Sequence, residues 1–130
     1  MSRKLNKAKK FYSTTEKSSL LAQDPISIVK TMVKELRSSM NKVIDTTGND
    51  EERLLRTKYF SRSLVIIYTL QTTLDFEKGE SLATKLFQIY EYCRQQLIKC
   101  FREQVVDGTY KAINALEDIF STNMVKSDVK

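Results

Sequence analysis

Residues 80–104 read ESLATKLFQIYEYCRQQLIKCFREQ, and no glycine or proline interrupts them. Leu82, Leu86, Ile89, Cys93, Leu97 and Cys100 recur at spacings of three and four, which places them on one stripe of an α-helix. Ala83, Phe87, Tyr90 and Phe101 widen that stripe until more than half of the girth is apolar. A helix this apolar must be covered by other elements on more than one side, so its neighbours decide the fold.

Those neighbours are helical too. Downstream, Gly108 beside Asp107 marks a turn, with Asp107 as the expected N-cap of a shorter helix carrying Tyr110, Ile113, Leu116, Ile119 and Phe120. Upstream, beyond Gly79, a long pattern runs from about residue 50 to 74. It carries Leu55, Tyr59, Ile66, Leu70 and Leu74 on one stripe and Phe60, Leu64 and Ile67 on an adjacent one. The run Leu64-Val65-Ile66-Ile67 alone would suit a buried strand, but it sits inside a helical period with no breaker on either side. Asn49 with Glu52 three residues on resembles a capping box, which starts this helix near Asp50. A further helix begins at Asp24-Pro25, an N-cap followed by a first-turn proline. Ile28, Val29, Met32, Val33, Leu36, Met40 and Val43 form its stripe, and Thr46-Thr47-Gly48-Asn49 ends it. Each of the three glycines then falls in one of three turns, and short connections make sequential helices antiparallel. The expected fold is all-α, an antiparallel up-down four-helix bundle with a short N-terminal extra helix or capping segment. Residues 1–23 are expected as a basic, partly disordered arm and capping segment, 24–122 as the bundle, and 123–130 as a frayed tail.

Three Gly and one Pro in 130 residues speak against turn-dense sandwiches and barrels, while 41% hydrophobic residues favour a folded core over disorder. The net charge of +6 lies at one end. Arg3, Lys4, Lys7, Lys9 and Lys10 stand without an acid among the first ten residues, leaving seventeen basic against sixteen acidic residues in the remainder. Such an arm suits nucleic acid or an anionic surface, although no aromatic side chain interleaves it. Cys93 and Cys100 share a helix side but stand about 10.5 Å apart along its axis, too far for a disulfide. Free thiols, no secretory apolar segment near Met1, and no apolar run of membrane-spanning length point to the cytosol.

The chain has no histidine, which excludes Ser-His and Cys-His nucleophile systems, His-containing metal helices and di-iron bundle ligands. Gly48, Gly79 and Gly108 are about thirty residues apart, so no phosphate-cradling loop exists. The acids Asp50, Glu51 and Glu52 suit the positive end of a helix dipole better than a metal. No catalytic, metal-binding or cofactor-binding set is expected, and the chain reads as a binding protein rather than an enzyme.

One region resembles a known family. Leu74-Asp75 before Lys78-Gly79, then Leu82, Leu86, the tetrapeptide Ile89-Tyr90-Glu91-Tyr92 and Leu97, is similar to the FliS family of flagellar export chaperones. There a Leu-Asp pair precedes a Lys-Gly-Gly turn, and the next helix carries a Leu-Tyr-Asp-Tyr signature followed by a Leu. Glu80 stands here for the second glycine. The family's first helix opens with Ser-Pro, paired aliphatics and Met-Leu-Tyr-Asp, partly matched by Asp24-Pro25, Ile28-Val29 and Met32-Val33, with Lys34 replacing the acid. The family's C-terminal tryptophan is absent, and the basic first ten residues are a departure.

The resemblance implies a cytosolic chaperone in bacterial flagellum biogenesis that holds the C-terminal segment of flagellin, prevents premature polymerisation and delivers it to the export apparatus. An export-gate component is the further partner so implied. Clients that become helical lay apolar residues into grooves, and Ile67, Leu86, Ile89, Tyr90, Leu97 and Phe101 are the expected groove residues. Core packing is the competing use of each. On the same analogy, the segment from Phe11 to Asp24 lies over the empty groove. The competing functions are a helical adaptor using its basic arm on nucleic acid or an anionic surface, and self-association through the spare apolar face.

Overall fold

The computed structural model describes residues 25–75 and 79–121. The expected basic arm, the capping segment, the tail from Thr122 and the turn residues Phe76, Glu77 and Lys78 lie outside them. Four α-helices follow one another: α1 (Pro25–Thr46), α2 (Arg53–Thr72), α3 (Glu80–Glu103) and α4 (Asp107–Ile119). Among the described residues there is no strand. Leu64 to Ile67 are helical, because Ile66 and Ile67 extend the packed face of α2 rather than alternating across a sheet.

Side-chain pairs give the directions. Arg62 of α2 meets Glu35 of α1 at 2.8 Å. The rings of Phe60 (α2) and Phe101 (α3) stack with centroids 4.1 Å apart, and Gln71, late in α2, reaches Glu91 of α3 at 3.3 Å. The Thr109 hydroxyl, early in α4, donates to the Gln96 carbonyl late in α3, and Cys93 lies against the Ala112 carbonyl. Each helix therefore runs antiparallel to the one before it, and Arg37 of α1 pairs with Glu117 of α4 at 2.9 Å to close the ring. Met32, Leu36, Met40, Val43, Ile67, Leu70, Tyr90, Leu97, Ala112 and Leu116 fill the centre. The buried hydroxyls of Ser63, Thr69 and Thr46 bond back to carbonyls one turn earlier, so the core holds them without cross-helix partners.

One helix end falls where the sequence placed it, at Gly48, and two others differ from expectation. Glycine at +85° lets Gly48 turn the chain out of α1, and the Arg56 guanidinium then caps it by donating to the Thr46 and Asn49 carbonyls. Asn49 does accept from a backbone N–H, that of Glu51, but Glu52 bonds the Asn49 side-chain amide, and a 3₁₀ turn (Asp50–Glu52) precedes the α-helix proper. The second correction concerns Gly108, which lies inside the first turn of α4 and not in a loop. The chain turns instead at Gln104, in the left-handed region at φ 60°, where its N–H donates to the Cys100 carbonyl. Asp107 is accordingly the first helical residue, favourable at the dipole's positive end, and not a side-chain cap. A Cβ at 108 would meet the end of the Gln96 side chain, a flexible group that can swing aside, so glycine suits the contact of α4 with α3 here without being required by it.

Candidate functional site

The centre of the bundle offers little chemistry. Cys93 and Cys100 are buried and free. Burial pushes the Cys93 thiol up to about 12, and it holds the Tyr90 phenol protonated far above its ordinary range. A thiol reagent should therefore leave both cysteines unmodified in the native protein and modify both in denaturant; fast native labelling, followed by absorbance, would contradict this packing. Among the described residues no three Cys, Asp or Glu side chains converge on a metal position, and no helix is long and apolar enough to cross a membrane. A cleft between α1 and α4 has Val33, Leu116 and Phe120 as its floor and Lys30, Lys34 and Ser121 on its rim. The Arg37–Glu117 ion pair is made within it.

A second feature among the described residues is the seam between α2 and α3. On α3, Phe87, Glu91, Arg94, Ile98 and Phe101 follow at intervals of four and three, which places them on one line beside the buried stripe. On α2, Phe60, Leu64 and Gln71 form the facing line, with Tyr68 on its outer edge. Phe87 and Tyr68 are 42% and 37% exposed, a large apolar area for solvent to wet. Leu64, Ile98, Phe60 and Phe101 are half-buried. The seam is thus apolar at both ends and polar in the middle. There Glu91 accepts from Arg94 Nε at 3.0 Å and Arg94 Nη2 at 2.5 Å, and from Gln71 at 3.3 Å. The Arg94 hydrogen bonds lead in holding the Glu91 carboxyl down at about 2, and Gln71 and Gln95 assist.

The six residues expected in a groove are not brought onto one surface. Ile67, Leu86, Tyr90 and Leu97 are buried, Tyr90 to 1% exposure, beneath the seam. Phe101 lies on the seam against Phe60. Ile89 is half-buried on another side of α3, seven residues before Gln96, which faces α4. Tyr68, Gln71 and Arg94 were not singled out by periodicity, because they lie off the main apolar stripes. The signal that would have found them is their register against the seam residues, which needs the pairing of Phe60 with Phe101.

Comparison with family models adds the deciding observation: the model described as flagellar protein FliS matches residues 6–123 of the chain. The chain belongs to the FliS family. FliS proteins are flagellar export chaperones, and the helical bundle fits that membership. No curated protein and no solved structure matches the chain. Within this FliS chain the signature tetrapeptide divides its labour. Tyr90 packs in the core, Glu91 joins the seam network, Tyr92 is 36% exposed, and Ile89 is half-buried toward α4.

Proposed function

We propose that this chain is a cytosolic chaperone that holds the C-terminal segment of flagellin along the α2/α3 seam, preventing polymerisation before export and aiding delivery to the flagellar export apparatus. Membership of the FliS family supports the client class. The observation that carries the choice of surface is the exposed pair Phe87 and Tyr68 on either side of a seam whose ends are apolar. An amphipathic segment laid there removes both rings from water, worth roughly 25 cal/mol for each Å² of apolar surface covered. Of the residues expected from the sequence, Phe101 borders this surface, Ile67, Leu86, Tyr90 and Leu97 form the packed wall beneath it, and Ile89 serves a second face toward α4.

The test is to mix the protein with the flagellin of its own organism and pass the mixture through gel filtration. A one-to-one complex that survives the column, and that is lost when the flagellin C-terminal segment is deleted, is the expected result. Failure to form any complex would sink the reading.

A further inference from the structure

We propose that the Gln71, Glu91 and Arg94 cluster fixes the register in which a client helix lies along the α2/α3 seam. The proposal rests on the reading of that seam as the client surface. Along α3 the line runs Phe87, then Glu91 and Arg94, then Ile98, so one apolar stripe is interrupted once by a charged pair. Gln71 ties that pair to α2, donating to the Glu91 carboxylate at 3.3 Å and lying 3.5 Å from the Phe87 carbonyl. Gln95 adds a fourth donor group within α3, at 3.3 Å. The cluster is satisfied by its own members while it faces water on its outer side.

Covering it changes the balance. A client side chain that is apolar at this level strips water from an ion pair and returns no hydrogen bond, whereas a polar one preserves the hydrogen bonds. Slipping a client helix by three or four residues moves its apolar anchors from Phe87 or Ile98 onto Glu91 or Arg94. Wrong registers are therefore penalised even though the rest of the seam, being apolar, accepts any greasy face. A single polar position in a coiled-coil stripe sets register in the same way, at some cost in affinity.

The spacing specifies the client. Phe87 and Ile98 are eleven residues apart, about 16.5 Å along the axis, with the polar pair four and seven residues after Phe87. The matching client face is apolar, polar, polar, apolar at positions i, i+4, i+7 and i+11. That pattern is the same read in either direction, so it holds for a parallel or an antiparallel client.

The experiment places a photoreactive amino acid at the exposed position of Thr84, one turn before Phe87, and maps its crosslinks to flagellin by mass spectrometry. With the rest of the chain unaltered, the crosslinks fall in one short stretch. With Glu91→Gln and Arg94→Met together they spread to stretches displaced by three, four or seven residues, while calorimetric affinity stays within threefold or tightens. Arg94→Met alone, on the surface of α3, gives a partial spread and guards against a folding defect in the double variant. Crosslinks that stay in the same stretch in both variants would overturn the register proposal and leave the client surface standing. No complex with the unaltered chain would overturn the client reading, and the register proposal with it.

Discussion

Leu97→Ala lowers the free energy of unfolding by about 2–5 kcal/mol, a large share of the roughly 5–15 kcal/mol that holds a domain of this size. Leu97 is fully buried in the cluster that includes Tyr90, Cys93 and Cys100 of its own helix, together with Ile67 of α2 and Leu116 of α4. Truncation removes apolar transfer energy and leaves a cavity that four crossing helices cannot collapse around, since α3 touches all three of the others. Chemical denaturation followed by circular dichroism reads the change. A loss below about 1 kcal/mol would mean that the site is loosely packed and that Leu97 belongs to an open groove after all. The same comparison separates wall from surface: a wall residue weakens client binding only as far as it unfolds the chaperone.

Phe87→Asp does the opposite. It leaves the midpoint of thermal unfolding nearly unchanged, because the ring is already 42% exposed, and it weakens flagellin binding by about 2–3 kcal/mol, roughly 30- to 150-fold. The loss has two parts: the apolar contact itself, and the cost of bringing a carboxylate beneath a client helix only one turn from Glu91. Val105→Asp is the control, since Val105 is comparably exposed but lies in the α3/α4 connection, off the seam. Titration calorimetry on the three proteins decides. Equal affinity for the unaltered chain and Phe87→Asp would remove the seam as the client surface.

The contrast between these two residues marks how far the sequence could be read. Both lie in one apolar helix, ten residues apart, and periodicity puts both on or near its stripe. Ten residues turn an α-helix by about 80° from alignment, enough to put Leu97 under α2 and α4 and Phe87 in water. Nothing in α3 alone states where its partners end. Tyr90 teaches the same lesson: a residue of the family signature, it looked suited to a client contact, yet burial takes its ring into the core. Gly108 shows the converse error. A glycine beside an aspartate has the chemistry of a turn, but Gly108 lies in the first turn of α4 against the Gln96 side chain, and a non-glycine residue, Gln104, takes the left-handed turn.

By itself the sequence determined the four helices, their order and nearly all their limits, because breakers, caps and the 3.6-residue period act over a few residues. The Leu74-Asp75, Lys78-Gly79 and Ile89 to Tyr92 motifs likewise pointed to the family without any coordinates. Only the tertiary structure decided which part of each broad apolar face is core and which is surface. That division follows from the register between α2 and α3, set where Phe60 stacks on Phe101 and Gln71 reaches Glu91, and contacts forty-one and twenty residues apart in the chain leave no local periodic signal.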